Sequence, residues 1–73
     1  MTAHQQARLA RLLAHLKANG GPATTGRIHR LYRTHGIPGR TTARGDLEAA
    51  TTAGLLTAHG PTNHRTYTLR EPA

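Results

Sequence analysis

The sequence predicts a small, mostly helical α+β domain in which three helices precede a two-stranded β-hairpin. Apolar residues recur at helical spacing through the first two thirds of the chain, and they alternate with polar residues in the last third. Glycine and proline separate these segments. The chain has 73 residues, which suits one domain with an economical core. We therefore expect a single domain over residues 1–73.

The first helix is predicted from the spacing of its leucines. Leu9, Leu12, Leu13 and Leu16 stand at i, i+3, i+4 and i+7, which places them on one face of a helix. Alanines between them favour helix, and an Asn-Gly-Gly-Pro segment ends it. This pattern predicts a helix over about residues 3–18.

A second helix follows after a short break. Ile28, Leu31 and Tyr32 form its apolar stripe, and either of two successive threonines can act as its N-cap. An Ile-Pro-Gly turn comes after it. We predict this helix over about residues 25–35.

The third helix and the hairpin complete the domain. Ala43, Leu47 and Ala50 stand at i, i+4 and i+7 and are expected to face inward, in a helix over about residues 41–53. Two threonine-rich runs then alternate with apolar residues around a Gly-Pro turn. They predict a β-hairpin, the wing, over about residues 55–69.

The charge balance indicates a polyanionic partner. The chain carries 10 Lys and Arg residues against 3 Asp and Glu residues, a formal net charge of +7. Such an excess in a small chain causes self-repulsion, and nucleic acid is the first candidate to offset it. No apolar run approaches the roughly 18 residues that cross a bilayer, and the N-terminus lacks the apolar stretch of a signal peptide. We therefore expect a cytoplasmic protein with no membrane partner.

The element order and one segment resemble a known class of DNA-binding proteins. Three helices and a hairpin, with a short glycine-containing turn between helices 2 and 3, is the order of a winged helix-turn-helix. The segment from Arg40 to Leu56, RTTARGDLEAATTAGLL, resembles the recognition-helix segment of many bacterial winged-helix regulators. Their pattern is Thr, a small or branched residue, two Arg, Asp-Leu, an acidic residue and then Gly-Leu-Leu. The resemblance covers about residues 24–69 and departs at Gly45, where those regulators usually carry a second arginine.

This resemblance implies sequence-specific binding of double-stranded DNA, with helix 3 in the major groove and the wing on the adjacent backbone or minor groove. Small size and high positive charge make the chain similar to the short nucleoid-associated winged-helix proteins of streptomycetes, an actinobacterial family. That family implies many chromosomal sites, a short motif centred on GATC and a location in the nucleoid, with a role in transcription regulation or chromosome organisation.

The residues that read bases are expected on the outer face of helix 3. With the inward stripe in the core, a step of about 100° per residue places the base-reading candidates outward or at the helix start; they are Thr41, Thr42, Arg44, Gly45 and Glu48. Arginine can bind guanine O6 and N7, and threonine can contact the thymine methyl. Gly45 either lets the backbone approach DNA closely or is a tolerated helix weakness. Glu48 either accepts from cytosine N4 or pairs with Arg44.

Phosphate contacts are expected from three places: the N-terminal part of helix 2, the start of helix 3 and the tip of the wing. The candidates are Thr24, Thr25, Arg27, Arg30, Arg40, Asn63, His64 and Arg65. Each is individually also compatible with a solvated surface side chain. Asp46 differs from them, because it stands at the flank of the inward stripe. We expect it to anchor helix 3 to a neighbouring basic side chain rather than to meet DNA.

Other functions find less support in the sequence. The six histidines lack ligand spacing, and cysteine is absent, so neither a metal nor another cofactor is predicted. Because there is no serine or cysteine nucleophile, no carboxylate pair and no phosphate loop, we expect no enzymatic activity and no small-molecule substrate. The alternative is a protein-interaction module without DNA readout, in which the leucines of helix 1 pack against a second copy. RNA is disfavoured because the chain has only two aromatic residues.

Overall fold

The computed structural model describes residues 2–37, 39–61 and 64–70. Its elements, in chain order, are α1 (Ala3–Asn19), α2 (Thr25–Thr34), α3 (Arg40–Thr52), β1 (Leu56–His59) and β2 (Thr66–Leu69). The two strands are antiparallel, with Leu56 opposite Leu69 and His59 opposite Thr66. Three helices followed by a two-stranded hairpin confirm the predicted α+β, winged helix-turn-helix architecture.

The helix ends differ from the predicted ends by at most one residue, and threonine or glycine stands next to several of them. The Thr24 side chain, one of the two N-cap candidates, accepts a hydrogen bond from the Arg27 backbone N–H over 3.1 Å. α1 continues one residue beyond the prediction and ends at Asn19, followed by Gly20, whose positive φ of 68° suits a C-cap glycine. α3 begins one residue early, after Gly39 at a φ of 101°. Such a φ favours glycine because a Cβ atom would be strained there.

The core is a single cluster drawn from all three helices and both strands. Most residues of the stripes predicted from periodicity are buried, namely the leucines of α1 at positions 9, 12 and 16, then Ile28 and Tyr32 of α2, and Ala43, Leu47 and Ala50 of α3. The remaining two, Leu13 and Leu31, are half-buried against this cluster. Leu56 and Tyr67 extend the cluster into the hairpin. Burial of these side chains supplies the main stabilising free energy of so small a domain.

The hairpin is also joined to the segment between α1 and α2. Ala23 and Tyr67 exchange two backbone hydrogen bonds, of 2.7 and 2.8 Å, and form an isolated antiparallel bridge. The sequence did not predict this pairing. β2 therefore lies between β1 and Ala23, two residues before α2, which places the hairpin beside the N-terminus of α2.

Three of the four leucines of the predicted α1 stripe are buried inside the fold. Leu9, Leu12 and Leu16 pack inside the fold, and Leu13 is half-buried against the same core. Self-association through α1 stays a prediction, but the leucines on which it depended are occupied. Within the described ranges, none of the helices combines the length and hydropathy needed to cross a membrane.

Candidate nucleic-acid interface

A groove of about 430 Å³ opens between the N-terminus of α2, the outer face of α3 and the hairpin. We call it the α3 groove. It gathers predicted DNA contacts from three separate parts of the chain, namely Thr24, Thr25, Arg40, Arg44, Glu48, His64 and Arg65. Gly26, Thr66 and Tyr67 also line it. Residues that are far apart in the sequence thus form one continuous surface.

The α3 groove is strongly cationic. Arg40 and Arg44 approach from α3, and Arg65 approaches from the hairpin. Glu48 is the one acidic side chain among the described residues of the lining. Three guanidinium groups against one carboxylate create a positive potential that attracts anions.

The N-terminus of α2 adds backbone donors to this groove. The amides of Thr25 and Gly26 come before the first intrahelical hydrogen bond, so they lack a partner within the helix. The first turn of α2 contains no acidic residue. Free N–H groups at the positive end of a helix dipole suit a phosphate, and here they lie beside the arginines of the groove.

The outer face of α3 matches the prediction. Thr41, Arg44, Gly45 and Glu48 are exposed, while Thr42 is half-buried. A Cβ atom added at Gly45 would meet no other atom within 4 Å. Packing therefore gives no reason for a glycine at this position. Close approach of a binding partner to the α3 backbone would provide a reason for glycine at this position.

Arg44 and Glu48 form an ion pair along the outer face of α3. Arg44 Nε lies 3.6 Å from Glu48 Oε1, and the side chains are 59% and 56% exposed. This geometry supports the pairing interpretation of Glu48. Pairs this exposed contribute about 0.3–0.5 kcal/mol to stability, because water competes for both partners. Arg44 is therefore held only weakly by its partner.

On its inner face, α3 is held by a buried polar network around Asp46. Arg8 Nε and Nη2 donate to its carboxylate over 2.7 and 3.1 Å, and Gln5 Nε2 donates over 3.2 Å from the same helix, α1. Tyr32 Oη donates from α2 over 2.8 Å. This confirms that Asp46 anchors α3 to a basic side chain, and it identifies that side chain as Arg8.

The network shifts the ionisation of its members. Burial by itself would raise the pKa of Asp46, but the hydrogen bonds donated by Arg8, Tyr32 and Gln5 outweigh it and lower the pKa below its ordinary value. Burial raises the pKa of Tyr32, and the hydrogen bond to the Asp46 carboxylate raises it further. The hydrogen bond to Asp46 raises the pKa of Arg8. At neutral pH the network contains an ionised Asp46, a charged Arg8 and a neutral Tyr32.

The hairpin contributes the third side of the α3 groove. Gly60 turns the chain at a φ of 85°, and a Cβ atom there would stand 3.1 Å from the His64 carbonyl oxygen. The His64 amide donates to the Pro61 carbonyl over 3.0 Å. Asn63, the remaining candidate at the wing tip, lies outside the described residues.

Two predicted phosphate contacts, Arg27 and Arg30, do not line the α3 groove. They line a separate groove between α1 and α2. The sequence placed them on α2 correctly but could not specify which neighbouring elements their side of the helix would face. Their position depends on how α2 packs against α3, which is a tertiary property.

Sequence reasoning missed Gln5 and Arg8, which position α3 through Asp46. The available signal was Asp46 itself, since a carboxylate beside an inward stripe requires donors when it is buried. Several basic residues of the sequence could supply such a donor, so the sequence alone did not identify Arg8. Among the described residues, no three His, Asp or Glu side chains come together to hold a metal ion.

The α3 groove is therefore a cationic surface with backbone donors, an exposed helix face and a rigid support behind it. Comparison with known proteins adds no relative: no protein family, no curated protein and no solved structure matches this chain.

Proposed function

We propose that this chain binds double-stranded DNA through the α3 groove. In this proposal α3 enters the major groove and the hairpin lies on the adjacent backbone or minor groove. The observation that carries it is the convergence of Arg40, Arg44 and Arg65 on the free N-terminal amides of α2. Packing of the core does not require three arginines at this surface. Binding of a polyanion offsets the repulsion between them.

The residues of the groove divide into two roles. Arg40, Arg65 and the α2 N-terminus suit phosphates, which fix the position of the protein on the duplex. Arg44 is in the first half of the exposed face of α3, where a side chain can reach base edges. Its weak pairing with Glu48 leaves it able to exchange a carboxylate for guanine O6 and N7.

The buried network supports this division. Hydrogen bonds from α1 and α2 fix Asp46, which stands two residues after Arg44 and two before Glu48. Holding the inner face of α3 at both neighbouring helices limits rotation of the helix about its own axis. A recognition face that is fixed before binding costs less conformational entropy when it binds.

The finer role follows from the resemblance to small actinobacterial nucleoid-associated proteins. We propose a cytoplasmic protein of the nucleoid that occupies many chromosomal sites, with a preferred motif centred on GATC. Mapping of bound sites across a genome tests this role: thousands of sites fit chromosome organisation, whereas a few sites would fit a local transcription regulator.

The first experiment measures affinity for a mixed-sequence duplex as a function of salt. About four phosphate contacts should give a slope of log affinity against log salt of roughly −3 to −4. A flat salt response, or no retention of DNA at low salt, would contradict DNA binding. It would instead favour a protein-interaction module.

The second experiment separates readout from electrostatics. A preferred motif is selected from random duplexes, and competitive binding to that motif and to scrambled DNA is measured at one salt concentration. Arg44→Ala should reduce the preference for the motif by about 5- to 150-fold, which corresponds to 1–3 kcal/mol of base discrimination. Arg40→Ala should weaken binding to both duplexes and preserve their ratio. Arg11→Ala, an equal charge change on an exposed part of α1 outside the α3 groove, is the matched control.

A further inference from the structure

We propose that the groove between α1 and α2 is a second DNA-phosphate site, through which one copy of the chain holds a second duplex. This α1–α2 groove has a volume of about 410 Å³ and is lined by His15, Asn19, Arg27, Arg30, Leu31 and Thr34. It shares no lining residue with the α3 groove. The proposal rests on DNA binding at the α3 groove and adds a bridging activity to it.

The two arginines of this groove point the same way because of their spacing. Arg27, Arg30, Leu31 and Thr34 stand at i, i+3, i+4 and i+7 and form one stripe of α2. The buried side chains of α2, which include Tyr32, lie on a different side of the helix. Both arginines therefore line the side of the groove that α2 provides.

Local hydrogen bonds occupy the neutral side chains of the groove but leave the guanidinium groups with donors to spare. Asn19 Nδ2 donates to the His15 carbonyl over 3.0 Å, and Thr34 Oγ1 donates to the Leu31 carbonyl over 2.6 Å. Arg27 Nη1 donates to the Pro22 carbonyl over 3.0 Å, which uses one of its five N–H groups and holds the side chain in place.

No carboxylate among the described residues neutralises this pair. Asp46 is bound to Arg8, and Glu48 is paired with Arg44 in the other groove. Like charges three residues apart on a helix repel each other, so folding alone gives no reason for the arrangement. A phosphate offers each guanidinium two acceptor oxygens and removes the repulsion. Charge complementarity thus identifies a nucleic-acid backbone as the occupant.

The position of the groove favours a second duplex over an extension of the first. The α3 groove opens between α2, α3 and the hairpin, whereas the α1–α2 groove is bounded by α1 and α2 alone. The two grooves have α2 in common but no lining residue. Separate duplexes can therefore fill them without either duplex being bent, and bending DNA costs free energy.

A capture assay tests the proposal. A biotinylated duplex containing the selected motif is fixed to beads, and a fluorescent duplex of different length is added with wild-type protein below saturation. Wild type should retain the fluorescent duplex on the beads. The double variant Arg27→Ala/Arg30→Ala should reduce that retention about tenfold, while its affinity for a single duplex stays within about twofold of wild type.

The matched control is Arg11→Ala/Arg33→Ala, which removes the same charge from exposed residues that line neither groove. It should retain the second duplex, and circular dichroism checks that both double variants are folded. Three results would overturn the proposal: wild type that binds one duplex but captures no second, capture that survives Arg27→Ala/Arg30→Ala, and equal loss of single-duplex binding and capture. The second result would indicate that self-association of the protein captures the second duplex. The third result would indicate that both grooves bind the same duplex. Failure of wild type to bind even the fixed duplex would instead contradict the function proposed for the α3 groove.

Discussion

The two faces of α3 carry carboxylates of the same charge in opposite surroundings. On the inner face, Asp46 is almost fully buried and accepts hydrogen bonds from three side chains on two other helices. On the outer face, Glu48 contacts one arginine at 3.6 Å and remains more than half exposed. Only two positions separate these residues along the chain.

The difference teaches that an ion pair has to be judged by its surroundings. A buried carboxylate with several donors fixes a helix, because removing any one partner leaves a desolvated group behind. A solvated pair contributes little stability and can dissociate when a better acceptor arrives. The inner pair suits a structural anchor, and the outer pair suits a surface that must exchange partners.

The largest expected effect comes from removing the inner carboxylate. Asp46→Ala should lower the free energy of unfolding by about 3 kcal/mol, because Arg8 and the buried Tyr32 hydroxyl lose their acceptor. Urea denaturation followed by circular dichroism measures the change. Asp46→Asn, which keeps an oxygen acceptor, should lose less. A variant Asp46→Ala within 0.5 kcal/mol of wild type would show that the network anchors nothing.

The same network should limit stability at both ends of the pH range. Because the folded pKa of Asp46 is lowered, its contribution is complete above the unfolded value of about 3.9 and is lost as pH falls through the folded pKa. Because the pKa of Tyr32 is raised, its contribution is complete below about 10 and is lost at higher pH. Denaturation from pH 2 to 11 should show an acid decline in wild type. If the stability of Asp46→Asn declined by the same amount in acid, the decline in wild type would have to come from other titratable groups.

A smaller effect, of opposite sign, is expected on the outer face. Gly45→Ala should raise the free energy of unfolding by about 0.5–1 kcal/mol, because alanine is the better helix former and the added methyl meets open space. The same change should weaken DNA binding if the α3 backbone approaches the duplex there. Thermal unfolding and a duplex titration measure the two quantities. Unchanged DNA affinity would mean that Gly45 is only a tolerated weakness of the helix.

The smallest effect on stability is expected for the outer carboxylate. Glu48→Gln should change the free energy of unfolding by less than about 0.5 kcal/mol, since the pair with Arg44 is solvated. It should nevertheless strengthen binding to scrambled DNA, because it removes a negative charge from a surface that meets phosphates. Urea denaturation and competitive binding provide the measurements. A loss of stability above 1 kcal/mol would remove the distinction between the two faces of α3.

Periodicity predicted the elements and their inner faces because both depend on local spacing. The stripe of Ala43, Leu47 and Ala50 identified the buried side of α3 and, by a fixed angular step, the exposed Arg44 and Glu48. Helix ends agreed to within one residue because threonine and glycine act at the termini through their immediate neighbours.

What the sequence did not reveal depends on contacts between distant segments. Arg8 is one of several arginines that could have paired with Asp46, and only the packing of α1 on α3 selects it. The bridge at Ala23 involves a single residue, so it has no alternating pattern to detect. Arg27 lies outside the α3 groove because of the way α2 packs against α3, and helical spacing within α2 does not contain that information.

The bridge between Ala23 and Tyr67 also bears on how the chain acquires its fold. Two-stranded hairpins are marginally stable alone in water. This hairpin gains the additional pairing with Ala23 only when the segment before α2, from the other half of the chain, packs against β2. Closing that long loop is entropically costly, so hairpin and helices should form together rather than in turn. The amides of Ala23 and Tyr67 should then exchange with solvent deuterium only through global unfolding. Their exchange rates should be among the slowest in the molecule.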